Sequence, residues 1–478
     1  MEELRILSPL GMLGYGFPLD SFKEGLRRDP HAIVADAGST DAGPHKLGAG
    51  VGIVSRAATK KDLYEMLRGG HDHHIPVLVG SAGGSGARKH VEWTLDIVQE
   101  IIRENHWKMR VGVIYADIDK QYLAEKLHKG KVTPLGPVPT LTEDDIFQSA
   151  RIVAQMGHEP FVQLLDEGVD VIIGGHSHTK LEEPFKVNDI YIVQAGTGTD
   201  DPAMTAAVCV KYGFDKGLAY HMGKILECGA QCAIPGSPKD CMMGYLHKDN
   251  FVLTPMNSIR KCTTYSVAAH TLYEKTNPMI LPGPGGVLDL SGCKFEQFDE
   301  RSVRISGSKF IPDEIYRLKL EGSRQVGYRT FFIAGIRDPH AIECIDEIVA
   351  YTVGETQKYF SEIPTSDYTI DIKIYGKNGV MGSLEPQKEI TSHELCIVYD
   401  VVAKDQAIAD QICAFSRSTM LHYHYTGRYA TAGNLAFPFS PSDVKFGPVY
   451  KFSVYHLLAV DNTEELDKLL PREILEIG

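Results

Sequence analysis

At 478 residues the chain is longer than one hydrophobic core usually supports, so we expect two or three domains. With 43% hydrophobic and 23% charged residues, its composition is that of a globular protein and excludes a disordered or fibrous one. The formal net charge of -13 argues against a nucleic-acid partner, because neutralising phosphates requires clustered Lys and Arg.

The nine cysteines and the N-terminus bear on the cellular compartment. The cysteines are odd in number and lie mostly in apolar or helical contexts, which predicts reduced thiols. The opening stretch MEELRILSPLGMLGYG does not resemble a secretory signal, and no segment approaches the roughly 18 apolar residues of a transmembrane helix. We therefore expect a cytoplasmic protein without a membrane partner.

In the first half of the chain, short apolar runs alternate with amphipathic stretches. Strands are predicted to end near Asp36, Val79 and Ile114, and a buried strand is predicted at 169–173. Helices are predicted from Arg88 and at 60–67, 145–156 and 159–167. This βαβ rhythm predicts an α/β fold with a Rossmann-like parallel sheet, whose ligands bind beyond the carboxyl ends of the strands.

The pattern changes after the helix-like stretch GLAYHMGKILECGAQCA. Proline- and glycine-rich connections and shorter alternating strands follow, which predicts an α+β region. The last part, from TIDIKIYG to VYKFSVYHLLAV, predicts a small sheet with a helix at 405–416 packed on it. The expected domains are residues 1–235, 236–365 and 366–478.

The first candidate site is the loop ADAGSTDAGPHKLG, which follows a predicted strand. Asp36 and Asp41 are candidates to hold a divalent cation or to accept substrate hydroxyls, while Ser39 and Thr40 offer hydroxyls and amides to an anion. Its position at a strand's carboxyl end favours a ligand site. The alternative is a tight strand-to-helix connection in which Asp and Ser cap the local backbone.

The second candidate is the glycine-rich segment VLVGSAGGSGARKH. Gly83 and Gly84 lie between a predicted strand and a helix, where backbone amides can approach an anion or a phosphate. The spacing is neither that of a P-loop nor that of GxGxxG, so it specifies no nucleotide. A tight turn is the alternative.

A third candidate spans residues 221–232. On a helix, His221, Lys224 and Cys228 share one face, with Glu227 beside them, and a lysine or cysteine nucleophile there needs burial and a charged neighbour. An amphipathic helix with a buried thiol is the alternative.

A fourth candidate is CTTYSVAAHTLYEK. Ser266, His270 and Glu274 are spaced four residues apart, which places them on one face of a helix. There the carboxylate would orient the imidazole, which would transfer a proton. An ordinary pair on the helix surface is the alternative.

A fifth candidate is the segment KLEGSRQVGYRTFFIAGIRDPH, which carries Lys319, Arg324, Arg329 and Arg337. Arg337 and Asp338 form a turn-like RDP, in which the arginine could clamp a carboxylate or phosphate. An internal salt bridge is the alternative.

Several of these phrases together resemble the acyclic terpene utilisation (AtuA-like) family. They are SPLGMLGYGFP, ADAGSTDAGPHKLG, KILECGAQCA, SVAAHTLYEK, LEGSRQVGYRTFFIAGIRDP and GNLAFPFSPSD followed by YHLL, and they span nearly the whole chain. The resemblance implies a role in the breakdown of acyclic terpenes and other branched acids, handled as carboxylates or coenzyme A thioesters. The family's recurring residues coincide with candidates chosen above: Asp36, Ser39, Thr40, Asp41, Glu227, Cys228, His270, Arg329, Arg337 and Asp338.

The segment HSHTKLEEPFKVNDIYIVQAGTGT departs from that family pattern. It resembles part of the 5′-nucleotidase-type metallophosphoesterases, in which a GGHSHT turn supplies histidines to a two-metal site. The matching residues are His176 and His178. A dinuclear site needs further carboxylate and histidine ligands, and the other blocks of that family, GDxxD and GNH with an acid, are missing. We interpret the segment as an inserted hairpin near the mouth of the site.

The leading hypothesis is a catabolic enzyme that acts on a branched or hydroxylated carboxylic acid or its acyl-CoA thioester. Asp36, Asp41, Glu227 and His270 are the expected catalytic residues; Ser39, Thr40, Gly83, Gly84, Arg329, Arg337 and Asp338 would bind the substrate. Proton abstraction needs a base and an oxyanion stabiliser but no redox cofactor, which favours a lyase or hydratase. Coenzyme A would enter as part of the substrate, and a divalent metal, a homo-oligomer and a partner subunit remain open. The alternatives are a metal-dependent phosphoester hydrolase that uses His176 and His178, and a non-catalytic subunit of a catabolic complex.

Overall fold

The computed structural model describes residues 1–38, 43–176, 202–272, 277–429 and 431–478, together with the backbone alone of residues 185–187, 190–192 and 201. Two compact units are formed. The first contains residues 1–324 and 452–478, and the second contains residues 325–451. The predicted boundaries at residues 235 and 365 do not coincide with this division.

The helices, in chain order, are α1 (Leu19–Leu26), α2 (Gly43–Ala49), α3 (Arg56–His73), α4 (Arg88–Glu104), α5 (Lys120–His128), α6 (Glu143–Gln148), α7 (Glu159–Asp166), α8 (Asp201–Lys211), α9 (Lys216–Leu226), α10 (Thr264–Leu272), α11 (Pro339–Glu343), α12 (Ile345–Tyr359), α13 (Gln406–His422) and α14 (Thr463–Leu469). Short 3-10 turns lie at Ala82–Gly84 and Gly382–Leu384. Among the helices of the described residues, none has both the length and the apolar character needed to cross a bilayer.

The strands of the first half are β1 (Leu4–Ser8), β2 (Ala32–Asp36), β3 (Val77–Gly80), β4 (Met109–Ile114), β5 (Val132–Pro134), β6 (Arg151–Ala154), β7 (Val171–Gly174), β8 (Phe185–Val187), β9 (Ile190–Ile192) and β10 (Ala233–Ile234). The remaining strands are β11 (Met242–Leu246), β12 (Asn250–Pro255), β13 (Lys261–Cys262), β14 (Ile280–Gly283), β15 (Gly286–Asp289), β16 (Lys294–Gln297), β17 (Val303–Ser306), β18 (Lys309–Pro312), β19 (Tyr316–Ile336), β20 (Tyr368–Tyr375), β21 (Leu395–Ala403), β22 (Asp443–Val460) and β23 (Arg472–Ile477). The chain passes from one unit to the other within β19 and within β22.

A ten-stranded sheet in the order β16-β17-β12-β11-β1-β2-β3-β7-β4-β23 is the centre of the first unit. The five strands β1, β2, β3, β7 and β4 are parallel, and antiparallel strands extend the sheet on both sides. The α/β fold with a Rossmann-like parallel sheet is therefore confirmed. Strands β11 and β12 belong to this sheet, so the boundary expected at residue 235 lies inside the first unit.

Successive side chains of the parallel strands point to opposite faces of the sheet, so they pack into two separate cores. Ile6, Val34 and Ile172 pack in one core with residues of α7, α8 and α9. Leu7, Val79 and Ile173 pack in the other with residues of α3 and α4. Helices thus cover both faces, and the ligand-accessible part of such a sheet is the edge where the parallel strands end.

The helix predicted over residues 145–156 is wrong. Thr142 and Asp145 form a reciprocal capping box that starts α6, but the helix ends at Gln148. The following run forms β6, which pairs with β19 from Arg151 opposite Ser323 to Ala154 opposite Leu320. The partner strand lies more than 160 positions away, so local propensity could not reveal this pairing.

The hairpin expected in the segment after His176 is present in the backbone. Strands β8 and β9 pair antiparallel from Phe185 opposite Ile192 to Val187 opposite Ile190. His178 lies outside the described residues.

In the second unit, β20, β21 and the later part of β19 form an antiparallel sheet. α12 and α13 pack together, and α13 packs on β21. The alternating pattern of β21, buried at every second residue, is that of a sheet with one covered face. The predicted small sheet with a helix on it is confirmed in these elements.

Candidate active site

The site begins where β2 ends. Asp36 is fully buried, and its Oδ1 accepts a hydrogen bond of 2.7 Å from the backbone N–H of Gly38. The N–H of Ala37 donates to the carbonyl of Gly80 at the end of the neighbouring strand β3 (3.0 Å). Asp36 is thus fixed at the carboxyl edge of the parallel sheet. Ser39, Thr40 and Asp41 lie outside the described residues.

The glycine-rich turn after β3 is built for close packing. Gly83 and Gly84 have positive φ angles of 64° and 105°. A Cβ on Gly83 would lie 2.9 Å from Cβ of His90, and one on Gly84 would lie 2.2 Å from Cδ1 of Ile53. Glycine is therefore required at both positions by conformation and space. Their predicted role in substrate binding stays a prediction.

The same turn brings the chain against the end of β7. The N–H of Ser81 donates to the carbonyl of Gly175 (3.0 Å). A Cβ on Gly86 would lie only 2.1 Å from the backbone nitrogen of His176. The close approach of these backbones fixes His176 at the same edge as Asp36, two strands further along the sheet.

Strands β6 and β19 present a polar face beside His176. Lys319, Glu321 and Ser323 alternate with buried leucines on β19, so their side chains share one face. Gln155 follows β6, and its N–H donates to the carbonyl of Lys319 (2.8 Å). The carbonyl of His176 accepts from the N–H of Met156 (3.0 Å). We call Gln155, His176, Lys319 and Glu321 the buried polar cluster.

An ion pair dominates this cluster. Nζ of Lys319 lies 2.7 Å from Oε1 of Glu321, and Oε2 of Glu321 lies 3.5 Å from Nε2 of His176. Nζ of Lys319 also lies 4.6 Å from the ring centroid of Tyr455, within the range of a cation–π contact. The ammonium therefore faces a carboxylate and an aromatic ring, both of which stabilise its charge.

Burial and charge act in opposite directions on the pKa of each member. Burial lowers the pKa of Lys319, but Glu321 and Tyr455 raise it, and the net pKa lies above its ordinary value. For Glu321, burial raises the pKa and Lys319 lowers it, with a net decrease. Burial also lowers the pKa of His176, with Lys319 adding to the decrease and Glu321 opposing it. At neutral pH the cluster holds an ammonium, a carboxylate and a neutral imidazole.

The cluster contains buried polar atoms that make no hydrogen bond. Gln155 is 0% exposed, and among the described residues neither Oε1 nor Nε2 of its amide has a hydrogen-bond partner. The same holds for both ring nitrogens of His176, which is 4% exposed. Buried amides and imidazoles are nearly always hydrogen-bonded, and leaving one without a partner costs about 1–3 kcal/mol. Such atoms can form hydrogen bonds with a bound ligand or an ordered water.

A second buried pair lies at the end of β1. Lys224 on α9 contacts Oε1 of Glu227 at 2.5 Å, and both side chains are fully buried. The hydroxyl of Ser8 donates to the carbonyl of Leu226 (2.9 Å), which ties the end of α9 to the end of β1. Glu227 thus lies at the sheet's carboxyl edge, and among the described residues its Oε2 has no hydrogen-bond partner.

Cys228 does not share the helical face predicted for it. Helix α9 ends at Leu226, and Gly229, with φ of 56°, turns the chain so that its N–H donates to the carbonyl of Leu226 (2.8 Å). The helix therefore carries His221 and Lys224 but not Cys228. Both ring nitrogens of His221 have hydroxyl partners, Ser308 at 2.7 Å and Thr271 at 3.1 Å.

The predicted helix around His270 is confirmed as α10, and His270 is buried. Ser266 caps the start of this helix: its Oγ accepts from the N–H of Thr263 (3.0 Å), and its own N–H donates to Oγ1 of Thr263 (3.1 Å). This hydroxyl is engaged in the cap. Glu274 lies outside the described residues, so its predicted pairing with His270 stays a prediction.

Arg329, Arg337 and Asp338 lie in the second unit. Nε of Arg329 donates to both oxygens of Asp400 on the paired strand, at 2.8 and 3.0 Å. Arg337 is exposed. Asp338 caps α11 by accepting from the N–H groups of His340 and Ala341 (2.8 and 3.1 Å). Their predicted roles in substrate binding stay predictions.

Of the two metal ligands suggested by the GGHSHT resemblance, His176 is described and His178 is not. Within residues that the structure describes, no group of three or more His, Cys, Asp and Glu side chains has the arrangement of a metal site. Among the side chains that the structure describes, His176 lies near one carboxylate, that of Glu321.

The sequence candidates include His176 and Lys319, but not Gln155 and Glu321, the other two members of the buried polar cluster. The alternation in LKLEGS places Lys319, Glu321 and Ser323 on one face, opposite Leu318 and Leu320, and this pattern indicates the polar face. Gln155 lies in the segment with the expected helix, and only the strand β6 places it opposite Lys319.

Residues 247–443 match the model of the family described as acyclic terpene utilisation family protein AtuA. This confirms the family resemblance over that segment. The matched residues include Lys319, Glu321 and His270 but not Asp36 or Gln155. Neither the curated proteins nor the solved structures contain a match to the chain.

Proposed function

We propose that this protein is an enzyme of acyclic terpene utilisation that acts on a branched or hydroxylated carboxylic acid or its acyl-CoA thioester. The family match over residues 247–443 supports the general role. The observation that carries the enzymatic part is the buried amide of Gln155, beside the Lys319–Glu321 ion pair, with no hydrogen-bond partner among the described residues. A substrate that binds these atoms would satisfy them.

A lyase or hydratase fits the groups that are present. In hydration, water adds its hydroxyl to the β-carbon of an unsaturated acyl group and a proton to the α-carbon, and no electrons are transferred to a cofactor. The reaction needs a hydrogen-bond donor or a cation to polarise the acyl carbonyl, and a group that moves a proton. Gln155 and Lys319 supply the first requirement in a water-poor environment, where such interactions are strong.

His176 is the proposed proton-transfer group of the buried polar cluster. Its ring is neutral at neutral pH and lies beside the Glu321 carboxylate, with 3.5 Å between Nε2 and Oε2, and a histidine is the side chain that most often transfers protons in enzymes. The roles predicted for Asp36, Glu227 and His270 are retained as proposals. Asp36 and Glu227 lie at the carboxyl edge of the same sheet, at the ends of β2 and β1.

The test is turnover of matched acyl compounds by the purified protein. 3-Methyl-2-butenoyl-CoA, its hydrated form and the corresponding free acids, together with longer branched chains, would be incubated with the protein and the products separated by chromatography. Conversion between the unsaturated and hydroxylated thioesters would support the proposal. An absence of both turnover and binding across the whole panel would refute it.

A further inference from the structure

We infer that the buried polar cluster selects a neutral acyl group carrying both a carbonyl and a nearby hydroxyl, namely a 3-hydroxyacyl thioester rather than a free acid. We rest this on the proposed function, and it names the substrate class of that site.

The Gln155 amide can both donate and accept hydrogen bonds. A primary amide offers donors at Nε2 and an acceptor at Oε1, and among the described residues both atoms are buried without hydrogen-bond partners. A ligand that satisfies both must bring an acceptor and a donor within the reach of one amide group. A 3-hydroxyacyl group does this: its carbonyl oxygen accepts from Nε2, and its hydroxyl donates to Oε1.

The Lys319–Glu321 pair and Gln155 together carry no net charge. The positive charge of Lys319 is paired with Glu321 at 2.7 Å, and both side chains are at least nine-tenths buried. The pair is neutral as a whole, and Gln155 carries no charge. A free carboxylate entering here would be a buried charge without its own counterion, which is costly.

Paired strands hold Gln155 and Lys319 in fixed positions. Gln155 and Lys319 are held together by the backbone hydrogen bond from Gln155 N–H to the Lys319 carbonyl (2.8 Å), and β6 and β19 pair over four residues beside them. The amide and the ion pair are therefore positioned by strands rather than by a loop. Sites built on paired strands hold hydrogen-bonding groups with the accuracy that discrimination of a hydroxyl requires.

The experiment measures binding of four ligands to the full-length protein by isothermal titration at neutral pH. They are 3-hydroxy-3-methylbutanoyl-CoA, 3-methylbutanoyl-CoA, a thioether analogue in which CH₂ replaces the carbonyl, and free 3-hydroxy-3-methylbutanoate. We expect the hydroxyacyl thioester to bind about tenfold more tightly than either the compound without the hydroxyl or the one without the carbonyl. The free acid should bind more weakly still.

A variant at Gln155 tests whether this residue causes the preference for the hydroxylated thioester. Gln155→Met keeps the length of the side chain and removes both polar atoms, so the tenfold preference for the hydroxyl should disappear while 3-methylbutanoyl-CoA still binds. Gln148→Met, on the exposed face of α6, is the matched control and should keep the preference. If Gln155→Met does not fold, the four ligands measured with the wild-type protein still decide the ligand preference, and Gln155→Asn, which withdraws the amide by one methylene, should weaken that preference if Gln155 recognises the hydroxyl.

Two kinds of failure are distinguishable. If the thioesters bind but the hydroxyl has no effect, or if the free acid binds most tightly, the inference is overturned and the proposed function stands. If Gln155→Met keeps the full preference for the hydroxylated thioester, another residue binds the hydroxyl, and the assignment of this recognition to the buried polar cluster is wrong. If no acyl compound binds at all, the proposed function fails together with the inference.

Discussion

Lys319 and Glu321 lie two residues apart on one face of β19 and form an ion pair with 2.7 Å between Nζ and Oε1, in the interior of the first unit. Removing one partner of a buried pair leaves the other charge uncompensated, whereas removing both need not. We expect Lys319→Met to lower the free energy of unfolding by about 3–5 kcal/mol. The double variant Lys319→Met/Glu321→Leu should lose clearly less. Urea denaturation of both variants measures this, and equal losses would show that the charges are not coupled.

Gly86 and Gly130 have similar positive φ angles, 60° and 66°, but different surroundings. A Cβ on Gly86 would meet the backbone nitrogen of His176 at 2.1 Å, whereas a Cβ on Gly130 would meet nothing within 4 Å. Gly130→Ala should therefore cost only the backbone strain, about 1–2 kcal/mol. Gly86→Ala should cost more than about 3 kcal/mol, because backbone must also move. The two denaturation midpoints make the comparison, and a Gly86→Ala variant as stable as Gly130→Ala would contradict the close approach.

His90 should make the protein less stable as the pH falls. Burial, with Arg151 and Lys89 nearby, lowers the pKa of His90 to about 4, despite hydrogen bonds to the carbonyls of Lys46 and Val51. The unfolded chain binds the proton near pH 6.5, so stability is lost as the pH falls from about 6.5 to about 4 and changes no further below that. The contribution is about 3 kcal/mol.

His90→Gln isolates this contribution from those of other buried histidines. The variant stays neutral at every pH, so the free energy of unfolding should fall less steeply between pH 6.5 and pH 4 than in the wild type. Denaturation series at several pH values give the difference between the two slopes. Parallel curves would mean that His90 is protonated equally in both states.

His176→Gln tests proton transfer in the proposed reaction. Loss of a proton-transfer group typically lowers the rate by about 10²- to 10⁴-fold, so kcat for hydration of the unsaturated thioester should fall at least about a hundredfold. His73→Gln, at the exposed end of α3, should leave kcat unchanged. If His270→Gln or Glu227→Gln lowers kcat instead, and His176→Gln does not, the proton is moved at the end of β1 or on α10.

The pattern of residues was sufficient for the parallel sheet, α4, α7, α10 and the antiparallel strands with α13 in the second unit. Each of these elements has a local signal, such as an apolar run or a helical repeat. Asp36 at a strand end was identified in the same way, because the carboxyl edge of a parallel sheet follows from the order of elements.

Other features depended on contacts between distant parts of the chain. The sequence by itself determined the α/β class and the strand ends that carry Asp36 and the glycine-rich turn, because hydrophobic periodicity and glycine placement are local properties. Only the tertiary structure decided that residues 151–154 form a strand and that Gln155 and His176 lie beside Lys319 and Glu321. The physical reason is that strand pairing and the burial of charge arise from partners far apart in the chain, and no local window contains both partners.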